Sequence, residues 1–117
     1  MAKVLITEKI NPIGIEVIKN AGHEVIQMET LEESELKEKI KDVDAALVRI
    51  LPITREILEG AKNLKILSKH GVGVDNFDIE AAKELGIALT TTPDANGRSV
   101  AEHTFALMMS LAKNIVP

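Results

Sequence analysis

Five short β-branched or aliphatic runs, Val4-Leu5-Ile6, Val25-Ile26, Ala46-Leu47-Val48, Ile66-Leu67 and Ile87-Ala88-Leu89, alternate along the chain with segments of helical pattern. Strands separated by helices pair in parallel through crossover connections, so the alternation restricts the chain to the α/β class. Five such strands in 117 residues predict a flavodoxin-like doubly wound parallel sheet of order 2-1-3-4-5, followed by a C-terminal crossover helix. Ligands of doubly wound sheets lie outside the carboxyl ends of the strands. Here those ends are Thr7 to Asn11, Arg49 to Pro52, Lys69 to Asn76 and Thr91 to Arg98.

Local signals place the helices. Asn11 followed by Pro12 is an N-cap with proline in the first turn, and Ile13, Val17, Ile18 and Ala21 are expected to line one face until Gly22. Thr30 with Glu33 has capping-box spacing, Thr54 is expected to cap a short helix ending near Gly60, and Asp78 caps another running through Ala81, Ala82 and Leu85 to Gly86. Ser99 with Glu102 is a further capping box, opening an apolar helix over 100–115 that runs toward Pro117.

Composition removes several classes of function. Without cysteine there are no disulfides, thiolate nucleophiles or cysteine-ligated metals, and a cytoplasmic location fits best. A net charge of −4, with lysines scattered among glutamates, gives no basic stripe for nucleic acid. The aromatics are Phe77 and Phe105 alone, so flavins and unpaired bases find no stacking surface. The segment from Val100 to Val116 is interrupted by Glu102, His103, Lys113 and Asn114, which argues against a membrane span, and no signal-peptide core follows Lys3.

Four segments could carry chemistry. Gly71-Val72-Gly73 suggests a dinucleotide turn, but the third glycine of GxGxxG would fall on Asn76. Two readings stay open for it: a tight turn in which glycine supplies unusual dihedrals, and a carboxylate site made of free backbone N–H groups ahead of the helix capped by Asp78. Arg49 follows an apolar strand beside Ile50-Leu51-Pro52; it is either a surface residue with a packed stem or a half-buried cation that needs an anion. Lys69 has a similar case. His70 and His103 suggest acid/base work, yet His103 and Glu102 point about 100° apart on a helix and His70 reads as structural. Asp75-Asn76 is expected to organise its own turn through side-chain to backbone bonds.

The stretch KHGVGVDNFD from Lys69 to Asp78, Thr92-Pro93, and SVAEHT from Ser99 to Thr104 occur in the order seen in the D-isomer-specific 2-hydroxyacid dehydrogenases, and the chain resembles the N-terminal part of that family. The pattern is most similar to its phosphoglycerate-oxidising branch, which serves serine biosynthesis. The resemblance is specific from about Arg49 onward. It implies NAD-linked hydride transfer between a D-2-hydroxy acid and its keto acid, with residues 1–98 binding the small anionic substrate and 99–117 crossing toward a NAD-binding domain. Arg49, Lys69, Gly71, Val72 and Gly73 would contact substrate, and Asn96, Ser99 and Val100 would come near the nicotinamide. The family more often has Arg where Lys69 stands, so the bidentate fork is lost while the charge is kept. The catalytic histidine, its carboxylate and the carboxylate-binding arginine would lie beyond Pro117, leaving this chain inactive alone, with no metal site and no NAD of its own.

Two other users of this topology fail on residue chemistry. A phosphoacceptor receiver needs clustered acids at the ends of strands one and three, which read Thr7-Glu8 and Arg49-Ile50. A flavodoxin needs a hydroxyl- and glycine-rich loop where Glu8-Lys9-Ile10-Asn11-Pro12 stands. A noncatalytic, corepressor-like module derived from the dehydrogenase fold stays open. The helix over 100–115 is apolar nearly all round, through Val100, Ala101, Phe105, Leu107, Met108, Met109, Leu111 and Ile115, and predicts a homo-oligomer.

Overall fold

A computed structural model describes residues 1–115; Val116 and Pro117, the end of the expected C-terminal segment, lie outside the described residues. The elements are β1 (Lys3–Ile6), α1 (Pro12–Asn20), β2 (Glu24–Gln27), α2 (Glu33–Lys39) running into a 3-10 turn (Ile40–Asp42), β3 (Ala45–Val48), α3 (Arg55–Gly60), β4 (Ile66–Lys69), α4 (Ile79–Glu84), β5 (Ala88–Thr90) and α5 (Gly97–Lys113). The sheet has five parallel strands in the order β2-β1-β3-β4-β5, as the alternation predicts.

The two faces of the sheet are unequal. Leu5, Ala46, Val48 and Leu67 point to one side and pack with Leu36 and Ile40, with Ile57 and Leu58 of α3, and with Ala81 and Ala82 of α4. Each of the buried Leu, Ile and Val side chains contributes about 1.5–3 kcal/mol. On the other side α1 lies against β2 and buries no residue fully, while Ile66 of β4 stays 43% exposed. The expected face of α1 is corrected here: Ile13 and Val17 are 66% and 63% exposed, while Gly14, Ile15 and Ile18 are the half-buried residues. Both sets have helical spacing, so periodicity alone did not choose between them.

Asn11 and Asp78 cap as expected, accepting from the N–H groups of Ile13 and Ala81 at 3.0 and 2.8 Å. Thr54 occupies its N-cap position without a side-chain bond. Three other details differ from the sequence expectation. The Thr30 hydroxyl bonds the Glu35 carboxylate rather than pairing with Glu33, and the N-cap of α2 is Glu32. The Ser99–Glu102 box is absent because α5 starts at Gly97, so Ser99 is already inside the helix and Glu102 pairs with Arg98 at 3.0 Å. Ile87 does not open β5: its N–H reaches back to Ala82 C=O at 2.8 Å, closing α4 together with Gly86 at φ 71°. Asn114 at φ 50° ends α5 in the same way, leaving Ile115 beyond the helix.

Glu35 organises the β2–α2 corner. Its carboxylate accepts from the Glu29 and Thr30 N–H groups at 2.9 and 2.8 Å and pairs with Lys39 at 2.7 Å. Lys39, the Thr30 hydroxyl and the Glu29 amide lower its pKa to about 2 against a small opposing effect of burial. A depressed carboxylate contributes stability that is complete above the unfolded pKa of about 4.3 and is lost as pH falls through the folded value. Urea unfolding of wild type and Glu35→Gln is therefore expected to show a midpoint gap at about pH 7 that closes between about pH 4 and pH 2. A gap that does not change with pH would contradict this role.

Candidate functional site

Three carboxyl-end loops converge on the peptide units of Arg49, Ile50 and Leu51. β1 continues into Thr7, whose N–H bonds Leu47 C=O at 3.1 Å, and this aims Glu8 at the end of β3. The Glu8 carboxylate accepts from the N–H groups of Arg49, Ile50 and Leu51 at 2.8, 2.8 and 3.0 Å, and also bonds the Thr7 hydroxyl. Burial pushes the Glu8 carboxyl upward, but the Thr7 hydroxyl and the Ile50, Arg49 and Leu51 amides outweigh it and hold the group below its ordinary value. The carbonyls of the same segment face donors. Lys69 Nζ donates to Arg49 C=O and, at 2.6 Å, to Asn76 Oδ1; Asn76 Nδ2 donates to Leu51 C=O at 2.7 Å. The ammonium also lies 5.4 Å from the Phe77 ring centroid, within cation–π range. Backbone bonds finish the join: Ile53 N–H to Asn76 C=O at 2.8 Å, and Asp78 N–H to Ile53 C=O at 2.9 Å.

Gly71 begins the next loop. Its φ of 151° favours glycine, although a Cβ there would meet nothing nearer than Lys69 Cε at 3.5 Å, so backbone angle rather than space selects the residue. Thr92 donates to Gly71 C=O from its N–H at 2.9 Å and lies 3.1 Å from it through its hydroxyl. In a trans peptide the N–H opposes the C=O, so the Val72 N–H is turned away from Thr92. No group among the described residues accepts a hydrogen bond from Gly71, Val72 or Gly73 N–H. Gly73 has ordinary φ, and a Cβ there would meet the Asp75 carboxylate at 3.1 Å, so an acid already borders this end of the loop.

Arg49, His70, Gly71, Val72, Thr92, Ala95 and Asn96 line one cleft of about 410 Å³ at this rim. Four of the predicted residues, Arg49, Gly71, Val72 and Asn96, therefore meet. Gly73 continues the loop just outside the lining, while Ser99 and Val100 sit exposed in the first turns of α5. Arg49 is exposed and forms no ion pair among the described residues, so the half-buried arginine considered from sequence is not what the fold builds. Lys69 is braced against Arg49 C=O and Asn76. Asn76 serves Lys69 and Leu51 rather than its own turn. His70 has an exposed side chain on the cleft while its N–H extends the ladder to Val48 C=O at 2.8 Å. His103 is exposed on α5.

Glu8 is the residue that sequence reasoning missed. Glu8 entered only as part of the Thr7–Asn11 strand end and as an argument against receiver and flavodoxin sites, although an acid directly after a buried strand at the ligand rim is a usable signal. Replacing Glu8 by Ala leaves three amides without their acceptor and is expected to cost about 1–3 kcal/mol in urea unfolding, with added acetate restoring part of the loss. An unchanged midpoint, or acetate acting equally on wild type, would contradict the assignment.

The family model described as "D-isomer specific 2-hydroxyacid dehydrogenase, catalytic domain" matches residues 4–114. The D-3-phosphoglycerate dehydrogenase of Methanocaldococcus jannaschii is 44% identical over 116 residues, covering 98% of this chain and 22% of that protein. The NAD+-bound 3-phosphoglycerate dehydrogenase of Entamoeba histolytica superposes with a TM-score of 0.81 at 30% identity, over 93% of this chain and 38% of that one. NAD-dependent formate dehydrogenase of Staphylococcus aureus gives 0.80 at 28% identity, over 97% of this chain and 39% of that one. The chain thus spans about a fifth of the length of the D-3-phosphoglycerate dehydrogenases it matches. With the parallel sheet and its glycine-flanked rim, the match over residues 4–114 makes this chain a member of the D-isomer-specific 2-hydroxyacid dehydrogenase family.

Proposed function

We propose that this chain is the substrate-binding part of a NAD-dependent D-2-hydroxyacid dehydrogenase, with 3-phosphoglycerate as the substrate. The observation that carries it is the convergence at a single sheet edge of an exposed guanidinium and a run of glycine-loop amides, neither with a partner among the described residues. A 2-hydroxy acid presents a carboxylate to the Gly71–Gly73 N–H groups while Arg49 takes a further anionic group. Lys69 acts mainly as a brace, although one of its three N–H donors is left for a ligand. Cytoplasmic location belongs to the same proposal, and no helix among the described residues is long and apolar enough to cross a membrane.

Only part of a dinucleotide fits these residues. Asn76 occupies the position of the third glycine, carries a side chain and is committed to Lys69 and Leu51, so the loop offers no pyrophosphate cradle. Asn96 lines the cleft, and it is the residue here that would border a nicotinamide, with Ser99 and Val100 following on α5. NAD supplies the hydride acceptor when bound. This chain's contribution is to hold and orient the acid. The division of labour proposed from sequence, 1–98 for substrate and 99–117 for crossover, fits a helix that begins at Gly97 and has only Ser110 half-buried.

Two measurements test the proposal. Arg49→Leu is expected to weaken 3-phosphoglycerate binding about tenfold in calorimetric titration, and equal affinity would count against it. NADH-linked reduction of phosphohydroxypyruvate, by protein carrying this chain with a nucleotide-binding segment, separates the enzyme from the noncatalytic module; no turnover favours the module. The exposed Val100, Phe105, Leu107, Met108, Met109 and Leu111 make α5 the surface through which two copies associate. Sedimentation equilibrium is expected to show a concentration-dependent dimer that Phe105→Glu disperses, and a monomer at all concentrations would contradict it.

A further inference from the structure

Arg49 borders two clefts. Beyond the one already described, a second cleft of about 400 Å³ opens over the carboxyl ends of β1, β2 and β3, with Met28, Leu31 and Ile50 as apolar wall and Lys9, Glu29 and Arg49 as charged rim. The strand order reverses between β1 and β3, and crevices at such a reversal are where doubly wound sheets take ligands. Lys9 is exposed and, like Arg49, has no ion-pair partner among the described residues. Glu8 also contributes to the wall, but its carboxylate is engaged by the Arg49, Ile50 and Leu51 amides. That leaves Glu29 as the acid facing an incoming anion.

We infer that the second cleft receives the distal phosphate ester of a two-ended 2-hydroxy acid, held between Lys9 and Arg49, and that Lys9 is a specificity-determining residue. The inference rests on the reading of the first cleft as the carboxylate site. A substrate spanning both clefts places its carboxylate on the Gly71–Gly73 amides and passes Arg49, the one residue shared by the two linings. A phosphate dianion offers enough oxygens for a guanidinium and an ammonium together. A short monoanionic hydroxy acid fills the first cleft and leaves the second empty. Recognition of the distal group is therefore a matter of Lys9 and Arg49, while recognition of the common end is a matter of backbone.

Amide-resolved NMR titration of the full chain with D-3-phosphoglycerate and with D-glycerate, which lacks the phosphate, tests this. D-glycerate is expected to shift Gly71–Gly73 alone, and phosphoglycerate to shift Lys9 and Ile50 as well. Lys9→Met is expected to weaken phosphoglycerate about fivefold with D-glycerate unchanged. Lys9→Arg keeps the affinity, and Glu29→Gln raises it for phosphoglycerate only. Equal phosphoglycerate affinity in wild type and Lys9→Met, or equal losses for both ligands, would overturn the inference while leaving the carboxylate site standing. Absence of any shift at Gly71–Gly73 with either ligand would overturn the two together.

Discussion

The rim of this domain depends on how three consecutive peptide units are held. The N–H groups of Arg49, Ile50 and Leu51 converge on one carboxylate, and the carbonyls of Arg49 and Leu51 meet Lys69 and Asn76. A loop leaving a parallel strand has no ladder of its own, and its polar groups would otherwise rely on water. Here an acid from the end of β1 and a cation from the end of β4 supply both halves of the missing ladder. Burial opposes the charge, but the Thr7 hydroxyl and the three amides outweigh it, so the half-buried Glu8 carboxylate stays ionised.

That arrangement decides which groups remain for a ligand. Lys69 is drawn inward by Arg49 C=O, Asn76 and the Phe77 ring, which leaves Arg49 as the exposed cation lining the glycine-loop cleft. Thr92 fixes the Gly71 carbonyl on the β5 side, so the amides that follow have no partner within the described chain. The cleft thus brings Arg49 beside the glycine loop, and on the proposed reading that pairing would suit a small acid with negative charge at more than one place. α5 leaves the sheet beside this cleft with an apolar surface exposed, consistent with a domain whose contacts extend to other polypeptide.

The sheet order was legible because it depends on pattern. Short β-branched runs between helical segments leave few topologies, and the crossover rule selects among them. Caps that depend on one residue and its nearest amides, at Asn11 and Asp78, were legible for the same reason. What could not be read were choices between equivalent local partners. Thr30 could pair with Glu33 or Glu35, and Lys39, one turn along α2 and bonded to Gln27 C=O of β2, favoured the second. The inward face of α1 was equally ambiguous, since Ile13-Val17 and Gly14-Ile18 share one period. Within the site, Arg49 and the glycine turn carried signals of their own. The clamp did not, because it links residues 41 to 43 positions apart along the chain, a separation at which one sequence gives no covariation to follow.

Residue-resolved hydrogen exchange of the backbone amides tests the central claim most directly. If Glu8 holds the end of β3, the Arg49, Ile50 and Leu51 amides exchange slowly while Gly71, Val72 and Gly73, which have no acceptor among the described residues, exchange fast. Rapid exchange at 49–51, or protection at 71–73 without added anion, would contradict it.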